Sequence, residues 1–274
     1  MNRIKQIIFN RGSSVAGAII TAVFTVFPED CFELIVLNKK WPKTTTVVIN
    51  RLIICIIILL IANAIYWIWR KKRKRVTISD KNYSIQIEYK NLLDVSDGKV
   101  VINFDECYTT KIGEAPGDIK AGSVCGQYLS RYPINDVQEL IEKENIKAAK
   151  GKSKYNNQTR YTPGTILPRG KHLLMAFAKL DENGRGCLTY DEYIECLDTL
   201  WAEIDLYHGT DDVYVPILGS NITRFDKELS QQDLLDIMVS SYRLSSKKMK
   251  KPNTLHIVCK KREGFSLNDV LGVD

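Results

Sequence analysis

Between Leu52 and Trp69 the chain runs for 18 residues with Asn63 as its only strongly polar side chain. As an α-helix at 1.5 Å per residue this stretch is about 27 Å long, close to the ~30 Å hydrocarbon core of a bilayer. A helix in a globular core keeps a polar face over such a length, so the run is read as a transmembrane helix. Its flanks agree. Tyr66, Trp67 and Trp69 fall where an aromatic belt belongs, and six consecutive bases, Arg70 to Arg75, follow at once. By the positive-inside rule, everything after them is expected in the cytoplasm.

A second apolar stretch, Val15 to Phe27, has 13 residues, a length that suits a signal-peptide core, a short membrane helix or an interfacial segment. Pro28-Glu29-Asp30 follows it in place of a small-residue cleavage site, and apolar residues resume from Cys31 to Leu37. With Arg3, Lys5 and Arg11 ahead of it, the expectation is a two-helix transmembrane hairpin with both ends inside. Ser13, Gly17, Thr21 and Thr25 recur every four residues, so one helix face is built from small side chains. Small faces let membrane helices approach closely. Packing against the second helix of the same chain is the first reading, and contact between chains is the sharper alternative.

The net charge of +7 is unevenly placed. Residues 1–75 carry 13 Lys and Arg against three acidic residues, or +10, which leaves residues 76–274 at −3. A duplex nucleic-acid binder carries its basic footprint on the folded domain, so that class of partner is not expected. The 7 cysteines stand at irregular spacings without a CxxC pair, and the 3 histidines are far apart. Neither a disulfide framework nor a metal centre is expected, and a reducing compartment is.

From Val76 onward short β-rich and helical stretches alternate. Strands are expected at 76–78, 83–89, 99–104, 172–180, 213–218 and 255–259. Helices are expected at 136–149, at 189–206, where Thr189 and Glu192 form a capping-box pattern, and at 230–244, capped by Ser230. Strands alternating with helices mean an α/β sheet with covered faces. The two expected domains are therefore residues 1–75, the membrane hairpin with its basic flank, and residues 76–274.

The most informative junction is Val213-Tyr214-Val215-Pro216-Ile217-Leu218-Gly219-Ser220-Asn221-Ile222-Thr223, a buried strand that empties into a loop of small residues. In open α/β sheets ligands bind beyond the carboxyl ends of the strands, and Gly219 with Ser220 would let backbone N–H groups approach a phosphate.

The order of segments along residues 76–274 resembles a divergent macro domain. Val100 to Glu106 supplies the first buried strand, Ala121-Gly122-Ser123-Val124-Cys125-Gly126-Gln127 a glycine-containing loop, and Tyr161-Thr162-Pro163-Gly164-Thr165 a second. The Pro216 to Thr223 loop and the Leu255 to Cys259 strand complete it. With membrane helices ahead of it, the chain is similar to the membrane-anchored effectors of type II Thoeris antiphage defence. The resemblance implies a bacterial inner-membrane protein whose macro-like mixed sheet, flanked by helices, binds an ADP-ribose-derived signal made by a TIR partner. For this branch the implied signal is a histidine–ADP-ribose conjugate, and its binding would drive assembly of copies, membrane disruption and death of the infected cell.

The same resemblance implies where the ligand would touch. Gly219, Ser220, Asn221, Ile222 and Thr223 match the phosphate loop. Gly122, Ser123, Gly126 and Gln127 stand where the family has three consecutive glycines. Asn103 and Asp105, in a stretch that replaces Asn-Ala-Ala-Asn, are ribose-side contacts, Asp94 is a weaker candidate for adenine, and Gly164 and Thr165 belong to the remaining loop. No cofactor or metal is implied. The runner-up function is a membrane-tethered ADP-ribosyl hydrolase using Asp105 or Glu106 to activate water. A calcium-loop pattern at Asp181 to Glu192 is set aside, because Arg185 at its fifth position repels the cation.

Overall fold

The computed structural model describes residues 11–32, 42–220 and 223–270. The chain divides into two units, one ending at Arg73 and the other beginning at Lys74.

In the first unit, α1 (Arg11–Val26) and α2 (Lys43–Lys71) pack on each other. At 29 residues and a mean hydropathy of 2.6 over its most apolar window, α2 is the one helix among the described residues long and apolar enough to cross a bilayer. At 16 residues α1 reaches about 24 Å and falls short of that test. The expected two-helix transmembrane hairpin is not confirmed: two helices pack on each other, and among the described residues only α2 is long and apolar enough to span a bilayer. Gly12 and Ala16 are buried, whereas Gly17, Thr21 and Thr25 are exposed. The small-residue row is therefore not the face that packs within the chain. Near the end of α1, Asn50 Nδ2 donates to the Phe32 carbonyl at 2.7 Å, and the Arg51 guanidinium lies over the Phe24 and Phe32 rings. The apolar stretch continuing past Phe32 to Leu37 lies largely outside the described residues.

The second unit is a three-layer α/β structure. Its strands are β1 (Arg75–Ser79), β2 (Ser84–Tyr89), β3 (Lys99–Asp105), β4 (Ile166–Arg169), β5 (His172–Leu180), β6 (Gly186–Leu188), β7 (Val213–Pro216), β8 (Arg224–Phe225) and β9 (Leu255–Cys259). They form one mixed sheet in the order β1-β2-β9-β7-β3-β5-β6-β8, with β4 paired to β5. From β2 to β5 all neighbours are parallel; β1 pairs antiparallel with β2, β4 and β6 pair antiparallel with β5, and β8 joins β6 in parallel. Parallel strands buried on both faces read as continuous apolar runs, as Leu173 to Phe177 does in β5.

Two helices cover one face: α5 (Tyr190–Tyr207) buries Tyr193, Leu197, Leu200, Trp201 and Ile204, and α6 (Gln231–Leu244) buries Leu234, Leu235, Met238, Val239 and Tyr242. Both open on the expected side-chain caps. Thr189 and Glu192 close a full capping box, as do Ser230 and Asp233. The other face is covered by α3 (Val124–Arg131), α4 (Val137–Lys143) and the turn of 3₁₀ helix at Leu92–Asp94, around Phe104, Tyr108, Tyr128 and Leu174. The helix expected over 136–149 stops at Lys143, because Asn145 turns left-handed at φ 53° and the chain leaves the axis. The strand expected to reach Leu218 ends at Pro216.

Candidate functional site

Because β2, β9, β7, β3 and β5 are parallel, their carboxyl ends share one edge of the sheet, the edge where open α/β sheets bind ligands. A cavity of about 1280 Å³ lies along it. Asn103, Phe104, Asp105, Phe177 and Ala178 line it from the central strands. The start of α3 with the preceding Glu114–Lys120 loop contributes further lining, as do Ile217, Gly219, Ser220 and Thr223.

The α3 terminus is built for close approach. Ser123 caps it, its Oγ accepting from Gly126 N at 2.9 Å and donating to the Lys120 carbonyl at 2.7 Å. That occupies the hydroxyl and leaves the first-turn amides of Val124 and Cys125, both cavity-lining residues, as donors that a helix start does not satisfy internally. Gly122 lies in open space, with nothing within 4 Å of where a Cβ would stand. Gln127 Nε2 donates to the Gly122 carbonyl at 2.9 Å and steadies the turn.

On the β7 side Gly219 is left-handed at φ +78°, and a Cβ there would fall 2.6 Å from the Phe225 ring. Only glycine fits this turn. The Ser220 hydroxyl donates to the Ile217 carbonyl at 3.0 Å, and Arg262 Nη1 donates to the Ser220 carbonyl at 2.8 Å. Lys90, Lys260 and Arg262 bring positive charge to this end of the cavity.

At the end of β3 the register to β5 shifts between Phe104 and Asp105, and such an irregularity re-aims a side chain. Asp105 Oδ1 accepts from the amides of Cys107 (2.8 Å) and Thr109 (3.1 Å), while its buried Oδ2 has no hydrogen-bond partner among the described residues. Burial pushes this carboxyl up from the usual aspartate range, against the lowering effect of those hydrogen bonds. Glu106 does not line the cavity: its Oε1 accepts from Ser153 Oγ at 2.7 Å and Leu180 N at 3.1 Å, and Arg160 lies 3.7 Å from Oε2. It braces the 144–165 segment against β5. Burial raises the Cys107 thiol to about 12 and the Cys125 thiol well above its usual value, so neither is a ready thiolate nucleophile.

Of the residues expected to touch ligand, Asn103, Asp105, Gly122, Ser123, Gln127, Gly219, Ser220 and Thr223 line this one cavity. Asn221 and Ile222 lie outside the described residues. Gly126 is absent from the lining because it serves packing, a Cβ there falling 2.3 Å from the Lys120 carbonyl. Gly164 and Thr165 are absent too. Gly164, at φ +96°, sits against the Cys196 carbonyl and Thr199 of α5, and the Thr165 carbonyl accepts from Tyr108 Oη at 2.9 Å. Asp94 is engaged by Asn91 (2.8 Å) and Arg131 (3.4 Å), and Asn91 lines the cavity in its place.

Sequence reasoning missed the β5–β6 side altogether. The Asp181 to Glu192 stretch supplies Glu182, Asn183, Gly184, Arg185 and Gly186 to the cavity. Its Glu192 is spent on Lys179 (2.6 Å) and the Thr189 amide (2.8 Å), which removes the bidentate ligand a calcium loop needs. No cluster of metal-ligating side chains occurs among the described residues. Gly184, left-handed at φ +70°, packs against the backbone of Pro116 and Gly117, so two loops distant in sequence meet beside the cavity. Tyr155 Oη, donating to the Pro116 carbonyl at 2.6 Å, braces that junction.

The family model described as the macro domain of Thoeris protein ThsA matches residues 85–260, which contain most of the sheet and the cavity. A Thoeris protein ThsA from Bacillus amyloliquefaciens is 28% identical over 207 residues, covering 70% of this chain and 68% of that protein. Among solved structures, the macrodomain of Thermus aquaticus DarG aligns at 12% identity and TM-score 0.38, over 64% of this chain and 97% of its own. An Oceanobacillus iheyensis macrodomain aligns at 9% identity and TM-score 0.44, over 69% and 91%.

Proposed function

The chain belongs to the Thoeris ThsA macro-domain family, and on that premise we propose that it is an antiphage effector whose cavity captures an ADP-ribose-derived signal. The observation that carries this reading is the pair of turns at Gly122–Cys125 and Gly219–Ser220, which line one cavity at the carboxyl edge of the sheet. Helix-start amides and a glycine turn together suit a diphosphate. Asn103 and Asp105 stand on the floor, where ribose hydroxyls need acceptors.

The ligand in this proposal is a histidine–ADP-ribose conjugate produced by a TIR-domain partner. Binding favours association of the macro-domain units, since a ligand shifts an equilibrium only by its differential affinity for the two states. Association concentrates the N-terminal helices beside one another, where weak packing faces meet at high effective concentration and the bilayer is disrupted. The chain acts in the bacterial inner membrane with both termini in the cytoplasm. It works as a sensor, with no cofactor and no nucleic acid.

A second reading, hydrolysis of ADP-ribose derivatives, has one observation in its favour: the unpartnered Oδ2 of Asp105 in the cavity wall. Calorimetry of the full chain in nanodiscs with ADP-ribose, followed by mass spectrometry of the recovered ligand, separates the two. Binding with intact ligand supports the sensor, and loss of ligand mass balance to product supports the hydrolase.

A further inference from the structure

The cavity is longer than its phosphate cradle. It extends along the sheet edge from Lys90, just after β2, to Gly186, at the start of β6. Five strand gaps at about 4.8 Å make this roughly 24 Å. Gly219-Ser220 follows β7 and Asn103 to Asp105 end β3, both near the middle of that span. An arm of about two strand gaps, roughly 10 Å, therefore remains beyond the cradle on the β5–β6 side.

Two arginines line that arm. Arg185 stands in a turn closed by its own backbone: Asp181 Oδ1 accepts from the amides of Asn183 (2.9 Å) and Arg185 (2.8 Å), and the Arg185 carbonyl accepts from Asp181 N at 3.0 Å. Arg224 opens β8, where it is held in register with Cys187 of β6. Both residues line the cavity, and neither forms an ion pair among the described residues. Glu182, in the same turn, also lines the arm and engages neither guanidinium. The aspartate-anchored turn that imitates a calcium loop thus presents a cation where a metal ligand would stand.

Resting on the ligand reading above, we infer that Arg185 and Arg224 form a second anion subsite, which binds a carboxylate or phosphate carried by the ligand beyond its diphosphate. A guanidinium fork pairs with either group through two parallel hydrogen bonds, which gives this arm selectivity for substituted ligands over plain ADP-ribose. The subsite determines specificity and leaves the diphosphate to the central turns.

The test measures affinities of the full chain in phosphatidylcholine nanodiscs for ADP-ribose, for ADP-ribose phosphorylated at its terminal ribose, and for ADP-ribose bearing a carboxylate-containing amide there. The wild type should bind at least one substituted ligand tenfold or more tighter than ADP-ribose, and which one gains identifies the anion. Arg185→Gln and Arg224→Gln change exposed side chains and should each remove at least fivefold of that gain, with ADP-ribose affinity held within twofold and the melting temperature unchanged. No gain for either substituted ligand overturns the subsite, and so does an equal loss of ADP-ribose affinity in the variants. Failure of the wild type to bind ADP-ribose or either derivative overturns the reading on which the subsite rests.

Discussion

Replacing Gly122 by glutamate tests the phosphate cradle with the least disturbance to the fold. A Cβ at this position meets nothing within 4 Å, so the folded chain has room for the side chain. The cost is that of a surface substitution, within about 0.5 kcal/mol, or roughly 1–2 °C of melting temperature for a unit of this size. The effect on ligand is larger. A carboxylate about 5 Å from a phosphate charge is repelled by ~0.8 kcal/mol at the permittivity of water and ~3 kcal/mol at an effective value of 20. Two such charges sum to about 1.6–6 kcal/mol, which weakens binding at least ~15-fold. Calorimetry with ADP-ribose gives the affinity, and a melt followed through Trp201, the tryptophan of residues 74–274, reports folding. A folded Gly122→Glu protein that binds ADP-ribose within threefold of wild type refutes the placement of the diphosphate. Gly219→Glu is a poorer probe. Left-handed backbone and the Phe225 ring at 2.6 Å make even Gly219→Ala cost about 1–3 kcal/mol, a fall of roughly 3–10 °C, so lost binding there would not separate the site from the fold.

Three further outcomes are expected. Burial raises the Asp105 carboxyl in the folded state, so the native protein holds this proton more tightly than the unfolded chain does; stability from this group is full below the unfolded value near 3.8 and is lost as pH rises through the folded one. Asp105→Asn should therefore melt increasingly above wild type as pH is raised from 4 to 7, and a pH-independent difference in melting temperature contradicts the assignment. Glu106→Ala leaves Ser153 Oγ and Leu180 N without their acceptor and should cost about 2–4 kcal/mol, or ~5–15 °C, while ADP-ribose affinity stays within twofold; a large affinity loss in the folded variant would place Glu106 in the site. Neutralising Arg70 to Arg75 removes the strongest orientation signal, so protease protection in inverted vesicles should report mixed topology, and a wild-type C-terminal unit found on the outer face would reverse the membrane reading.

The parallel centre of the sheet is legible in the sequence because strands buried on both faces must be continuously apolar, and α5 and α6 because their capping side chains stand three residues apart. The eight-residue α3 is not legible: Gly126 and Ser130 interrupt its apolar pattern, and it is held by the Ser123 cap and by burial of Tyr128 and Leu129. β4 contains Pro168, and β6 and β8 have only three and two residues, so their pairing partners rather than their own propensity define them. At the site, a glycine after a buried strand correctly marks Gly219. The same signal misleads at Gly164, where a left-handed glycine serves close packing on α5. Glu182 to Gly186 reach the cavity through tertiary contact with Pro116 and Gly117, which local patterning cannot encode.

In the proposed function, one cavity at the carboxyl edge of the sheet holds an ADP-ribose-type ligand between two turns. A structure of the full chain solved with ADP-ribose tests it most directly. Diphosphate density is expected between the Val124 and Cys125 amides and the Gly219–Ser220 turn, with a ribose against Asn103 and Asp105. Ligand density elsewhere on the domain, or an empty cavity at saturating ADP-ribose, would contradict it.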